Sequence, residues 1–302
     1  TQDYKQAIKW YTLAAEQGNA KAQFNLGYMY NNGQGVTQDY KQAIKWYTLA
    51  AEQGNAKAQF NLGYMYNNGQ GVTQDYKQAI KWYTLAAEQG IASAQFKLIM
   101  MYVVGQGGTQ DYKQAFKWLT LVAEEGVAYA QFGLGLMYSE GEGVIQDYKQ
   151  AVKWFKLAAE QDYKDAQEQL GVMYYNGQGV NQDYKQAVKW FTLAAKQGHT
   201  KAQYNLGVMY SDGEVVIQDY KQAVKWYTLA AEQDDADAQG NLGVMYGNGQ
   251  GVSQDNVYAH MWFNIAASNG NSDALNNRDL VVKEMTKEQI TEAQKLAREC
   301  VA

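Results

Sequence analysis

The stretch Asp3-Tyr4-Lys5-Gln6-Ala7-Ile8-Lys9-Trp10-Tyr11-Thr12-Leu13-Ala14-Ala15-Glu16-Gln17-Gly18, continued by Asn19 to Val36, decides the fold because it returns. Asp-Tyr-Lys-Gln-Ala recurs at Asp39, Asp75, Asp111, Asp147, Asp183 and Asp219, always 36 residues on and without an insertion. All eight tryptophans, Trp10, Trp46, Trp82, Trp118, Trp154, Trp190, Trp226 and Trp262, keep that register. Residues 1–36 and 37–72 are identical at every position, which marks recent duplication of a unit. A fixed period in this range means an array of stacked supersecondary units.

One unit reads as two helices, near 4–17 and 20–31, repeated by adding 36. Asp3 is placed to cap the first, with Gln6 completing a capping box. Ala7, Ile8, Trp10, Tyr11, Ala14 and Ala15 form a broad apolar face at helical spacing. Gly18 stops that helix, since glycine accepts the left-handed conformation past a helix end. Ala22, Phe24, Leu26, Met29 and Tyr30 pattern the second helix, and Asn31-Asn32-Gly33-Gln34-Gly35 ends it. Gly27 lies inside that helix at a cost of about 1 kcal/mol against alanine. Its return at Gly63, Gly135, Gly171, Gly207 and Gly243 points to a close approach that leaves no room for a side chain. A lone helix pair cannot bury its apolar face, whereas stacked pairs share a continuous core. The expected fold is therefore all-α, an α-solenoid of 36-residue helix-turn-helix repeats. The repeats span 1–252 as seven units; 253–302 hold a variant eighth unit and C-terminal capping helices.

Composition removes several function classes. Of 302 residues, 46% are hydrophobic and 19% charged, and the net charge is −5. That balance argues against nucleic acid as a partner, which asks for a basic footprint. Cys300 is the single cysteine, so no internal disulfide or cysteine-based zinc site is expected. No apolar run approaches the roughly 20 residues of a membrane span. Proline is absent, which fits a chain that is mostly helix.

The pattern Ala-x-x-Trp-Tyr-x-x-Ala-Ala-Glu-Gln-Gly-Asn-Ala-x-Ala-Gln-x-x-Leu-Gly-x-Met-Tyr-x-x-Gly-x-Gly-Val, from Ala7 to Val36, resembles the Sel1-like repeats, relatives of tetratricopeptide repeats found chiefly in bacterial and eukaryotic adaptors. The resemblance implies a right-handed superhelix and a scaffold role in protein–protein contact, with a partner held in the concave groove. It also makes a bacterial source and a periplasmic or secreted setting plausible, although the residues themselves give no compartment and no oligomeric state. The chain opens mid-linker at Thr1-Gln2-Asp3, without an initiator methionine or signal segment, and is expected to be a fragment or mature product. Two departures stand out. Proline often precedes Gln-Asp in the family, whereas Thr37, Thr73, Thr109, Ile145, Asn181, Ile217 and Ser253 stand there; a looser inter-repeat turn is the expected cost. Some secreted relatives tie each repeat with a cysteine pair; this chain has none, so the penicillin binding or hydrolysis claimed for them does not transfer.

The tail reads as a cap. Met285, Thr286, Gln289 and Ile290 match a capping box with a hydrophobic staple, opening a helix that runs to about Cys300. No GxSxG, HExxH, GxxxxGKS or CxxC occurs, and the only histidines, His199 and His260, stand in different repeats. Identical carboxylates in identical repeats make no unique catalytic constellation. The expectation is a non-enzymatic scaffold without cofactor or metal, taking a protein or peptide partner. A glycan- or cell-wall-binding module is the alternative, since tyrosine, asparagine and glutamine could line a groove. A hydrolase of the β-lactam or peptidoglycan type ranks below both.

Two patches are candidates for the partner. Lys5, Lys9, Thr12 and Glu16 share one stripe of the first helix, and the lysines recur, through Lys41, Lys45, Lys77 and Lys81, in seven units. The first three units each carry net +1, whereas units four and seven set two lysines against five carboxylates. An acidic partner should therefore sit on the N-terminal half. The second patch is Val103, Val104 and Tyr129, where Val-Val replaces Asn-Asn, Ile99 replaces the close-packing glycine, and Tyr129 replaces a lysine.

Overall fold

The computed structural model describes residues 2–108, 110–213 and 217–301, leaving aside the side chains of residues 2, 3 and 301. Thr109, and the side chain of Asp3 as a cap, therefore lie outside the described residues. Among those residues the chain is built of helices joined by short turns, with no strand. The first helices of the repeats are α1 (Gln2–Glu16), α3 (Tyr40–Glu52), α5 (Tyr76–Glu88), α7 (Tyr112–Glu124), α9 (Tyr148–Ala159), α11 (Tyr184–Lys196), α13 (Tyr220–Ala231) and α15 (Asn256–Ser268). The second helices are α2 (Ala20–Asn32), α4 (Ala56–Asn68), α6 (Ala92–Val104), α8 (Ala128–Glu140), α10 (Lys164–Asn176), α12 (Thr200–Asp212), α14 (Ala236–Asn248) and α16 (Ser272–Val282). α17 (Lys287–Val301) follows. The chain divides into two compact units, residues 1–125 with 140–145, and residues 126–139 with 146–302.

The ends of the helices follow from a few residues. Asp39 and Asp75 accept from the backbone N–H of Gln42 and Gln78 at 3.0 Å, as an N-cap should. The expected reciprocal half of the box is replaced: the Asp39 N–H donates to the Tyr30 carbonyl at 2.9 Å. The glutamine just before each cap adds a second tie across the turn, Gln38 Nε2 to the Asn31 carbonyl and Gln74 Nε2 to the Asn67 carbonyl, both at 2.7 Å. The turn without proline is thus held by two hydrogen bonds in place of a stiff ring. Ile145 and Ile217, which stand in the proline position, point into solvent.

Packing between repeats rests on three contacts. Trp46 is 8% exposed, seated on Ala15, Ala22 and Leu26 of the repeat before it; Trp82 sits likewise among Ala51, Ala58 and Leu62. Trp10, which has no such seat among the described residues, is 66% exposed. The second contact is the glycine approach. A Cβ on Gly63 would meet Cδ1 and Cε1 of Tyr83 at 2.8 and 2.9 Å, and Gly27 stands likewise against Tyr47. In the second compact unit the rings against Gly135, Gly171 and Gly243 are Phe155, Phe191 and Phe263. Ile99 breaks the glycine register, and Leu119 stands where the ring belongs; both are buried. The substitution is a matched pair, which accounts for the irregularity at Ile99.

The third contact is polar. Gln23, Gln59, Gln203 and Gln239 are buried, each donating its Nε2 to a carbonyl eight residues earlier at 3.0–3.1 Å. Their Oε1 atoms accept from the next repeat: Gln53 and Gln89 donate to Gln23 and Gln59 at 2.7 Å, Gln233 donates to Gln203 at 2.7 Å, and Asn269 to Gln239 at 3.0 Å. Each buried amide is thereby satisfied across a repeat boundary, which offsets its desolvation. Glu125 stands in the donor register and cannot donate, and the bond from Gln95 to the Ala87 carbonyl stretches to 3.5 Å. Glu125→Gln should therefore raise stability by about 1 kcal/mol, read as a shift in the urea midpoint at unchanged slope.

Candidate interaction surfaces

The lysine face forms as the helical spacing dictates, with one correction. Lys5, Lys9, Lys41, Lys45, Lys77 and Lys81 are all exposed. The third member of the stripe is leucine and not threonine. The Thr84 hydroxyl donates to the Ile80 carbonyl on its own helix, whereas Leu49 is 37% and Leu121 43% exposed on α3 and α7. On α1, α3, α5 and α7 the strip is thus two lysines, then a leucine, then a glutamate such as Glu52.

The second lysine of a pair lies on the ring that follows it: Lys45 Nζ is 5.1 Å from the Trp46 ring centroid and Lys81 Nζ 5.0 Å from that of Trp82. An ammonium over an indole face gains about 0.5–1 kcal/mol at an exposed site, so these charges are held in place. Among the described residues none of the six lysines forms an ion pair; the lysine pairs are Lys156–Glu160 and Lys295–Glu299. On α1, Lys5, Gln6, Lys9, Trp10 and Leu13 line a shallow depression of about 490 Å³.

The valine patch divides between the two compact units. Val103 and Val104 end α6 in the first, where Val104 is 59% exposed and the Val103 carbonyl accepts from Gln110 Nε2 at 3.0 Å. Tyr129 lies half-buried on α8 in the second.

Sequence reasoning missed where α17 docks. The helix opens with the expected reciprocal box: the Thr286 N–H donates to Gln289 Oε1 at 2.8 Å, and the Gln289 N–H to Thr286 Oγ1 at 3.3 Å. Its inner face, Ala293, Leu296 and Ala297, packs on α15, and the two alanines are buried. The residues beneath it are Met261 and Ile265, which stand in the register of Lys45 and Leu49 and are buried where those are exposed. α17 therefore covers the lysine-register face of the last repeat and leaves Leu275 and Leu280 on α16 exposed. The signal in the sequence is valine and methionine, Val257 and Met261, in place of the two lysines of the register.

His199 serves as a helix cap. His199 replaces the usual asparagine before α12, and its Nδ1 accepts from the Ala202 N–H at 3.2 Å. Its Nε2 lies 3.4 Å from Asp165 Oδ1, so both ring nitrogens are engaged and neither is left to act as a base. Burial holds its pKa below the ordinary value; Asp165 opposes this, and Lys164 and Lys201 reinforce it. Nearby Glu168, in the register of Phe24, is buried, and burial pushes its pKa up. Among the described residues no group of three His, Cys, Asp or Glu side chains is placed to hold a metal ion, and no helix is long and apolar enough to cross a membrane.

A histidine whose folded pKa is depressed contributes stability that is complete above its unfolded value, about 6.5, and is lost as pH falls from there through the folded value. His199→Asn keeps the cap and removes the titration. The variant should lose less melting temperature between pH 7.5 and pH 5 than the parent chain. Equal losses in thermal melts would show that the ring is not the acid-sensitive cap. His260, also lowered by burial and by Arg278, and Glu168 are common to both chains and cancel in the comparison.

Stacked helix pairs, a polar ladder across repeat boundaries and an exposed, periodic face define a repeat protein of the α-solenoid class. The family model of the Sel1 repeat matches residues 1–19, 20–55, 56–91, 92–127, 128–163, 164–199, 200–235 and 236–271. The chain belongs to the Sel1 repeat family. It is similar to a Sel1 repeat protein from Oxalobacter formigenes, at 39% identity and a TM-score of 0.73, over 89% of this chain and 78% of that one. It is also similar to c5321, a protective antigen of uropathogenic Escherichia coli displaying an SLR fold, at 32% identity and a TM-score of 0.46, over 99% of this chain and 79% of that one. Cysteine rich protein B of Helicobacter pylori matches at 27% identity and a TM-score of 0.35, over 43% of this chain and 92% of that one. The search of curated proteins found no match.

Proposed function

We propose that the chain is a non-enzymatic interaction scaffold that binds an acidic protein or peptide through the lysine face of its first three repeats. Sel1 repeats serve generally as protein-interaction scaffolds, and the observation that carries the finer reading is the unpaired lysine series. Lys5, Lys9, Lys41, Lys45, Lys77 and Lys81 stand exposed at a constant period without an internal carboxylate partner among the described residues. Charges so arranged steer an oppositely charged partner and give salt-sensitive binding.

The test is to change Lys9, Lys45 and Lys81 together to glutamate and measure affinity for a partner captured by the parent chain. At low salt the reversal should weaken binding at least tenfold, and added salt should narrow the difference. Unaltered affinity with the fold intact would move the site to another face. A second reading, a neutral glycan on the second helices, is favoured by the exposed rings Tyr28 and Tyr64. Glycan binding lost on changing these tyrosines to alanine, and indifferent to the lysine reversal, would select it.

A further inference from the structure

The last repeat shows what its own first-helix face accepts. There the register that holds Lys41, Lys45 and Leu49 in α3 is occupied by Val257, Met261 and Ile265 in α15. The occupant is an amphipathic helix, α17, which approaches through the small residues Ala293 and Ala297. In the first compact unit the same register is uncovered among the described residues of α3, α5 and α7, with Leu49 and Leu121 exposed and Leu85 half-buried among lysines.

We propose that the Lys–Leu stripe of α3, α5 and α7 binds an amphipathic helix of a partner protein, one whose apolar face is flanked by carboxylates. This rests on the scaffold reading above and specifies the partner element. Three observations select that occupant. A helix already lies on this register in α15, so the surface left between side chains matches a helix and its apolar stripe. The flanking positions differ between the two cases in one property. Lys41, Lys45, Lys77, Lys81, Lys113 and Lys117 replace the apolar Val257 and Met261 register, and each would be left desolvated beneath an uncharged or basic helix. Carboxylates on the flanks remove that penalty, and they also explain why α17, whose charges are mixed as Lys287, Glu288, Glu292, Lys295, Arg298 and Glu299, suits repeat eight and not repeats two to four. Finally, Lys45 and Lys81 are already held over indole rings, so little side-chain freedom is lost when a carboxylate meets them.

The experiment titrates the full chain into two labelled synthetic peptides of equal length and charge and follows anisotropy at low salt. One carries leucine and alanine at i, i+3, i+4 and i+7 with glutamates on both flanks. The other differs only by two central prolines, so that no helix forms. Binding of the first at least tenfold tighter than the second, weakened at least tenfold by Leu49→Ser with Leu121→Ser, supports the proposal. Equal affinity for both, sensitive only to Lys45→Glu with Lys81→Glu, overturns the helix and leaves the lysine face standing. Binding of neither, with helicity of the chain intact by circular dichroism, also overturns the helix assignment. The scaffold reading is judged separately, by whether the triple lysine reversal releases a captured partner.

Discussion

Gly63→Ile is expected to destabilise the array by about 3 kcal/mol, at the upper end for overpacking a rigid core. A side chain there starts with a Cβ within 2.9 Å of two ring carbons of Tyr83, and the buried ring has no free volume to enter. Adding Tyr83→Leu should return most of that loss, because Ile99 and Leu119 are the same exchange already made one repeat later. Tyr83→Phe alone should be neutral or slightly stabilising. The Tyr83 hydroxyl is buried without a hydrogen-bond partner among the described residues, and phenylalanine serves at Phe155, Phe191 and Phe263. A double-mutant cycle from urea unfolding measures the coupling. Additive losses for Gly63→Ile and Tyr83→Leu would show that the two positions do not share one space. Because each repeat leans chiefly on its neighbours, the single variant should also broaden the transition by splitting the array near α4.

Removal of residues 284–302 has the second large effect. It strips α17 from α15 and opens Met261 and Ile265 to water beside Trp262. Burying side chains of this size is worth about 1.5–3 kcal/mol each, so the shortened chain should self-associate at concentrations where the full chain does not. Met261→Lys with Ile265→Ser in the shortened chain should reverse the association, since that face would then carry lysine in the register of Lys45 and no bared apolar side chain at either position. Light scattering after size exclusion reads both results. A shortened chain that elutes as the full chain does would mean that α17 contributes nothing to solubility. In the intact protein, Ala297→Asp tests the same seat by placing a carboxylate at a buried contact, at an expected cost of about 2–3 kcal/mol.

The repeat, the helix pairs and the glycine approach are legible in the sequence because each is written many times over, and a constraint seen repeatedly at one register is hard to mistake. The reciprocal cap at Thr286 and Gln289 is legible for a different reason, since capping is local and depends on a spacing of three residues. The buried Gln23 and Gln59 ladder is not. A glutamine at helical spacing reads as surface until the carbonyl it satisfies, eight residues back and in another helix, is placed beside it. Leu49 is misplaced because an alternating Lys-Leu stripe is neither wholly polar nor wholly apolar, so periodicity assigns Thr12 and its copies to the exposed side. The seat of α17 is legible only in Val257 and Met261, two exchanges of lysine whose meaning depends on what covers them.

The Ile99 and Leu119 pair carries a consequence for how such an array can change length. Identical repeats let genetic exchange add or drop a unit wherever two copies align in phase, and residues 1–72 show copies made that way. A crossover that falls between positions 99 and 119 separates the pair. One product then sets isoleucine against an aromatic ring, and the other sets glycine against leucine and leaves a void. Joints made on either side of that interval keep every glycine with its ring and cost nothing in packing. The lineage can therefore lengthen freely through its first two repeats, while the junction between α6 and α7 is inherited as one indivisible piece.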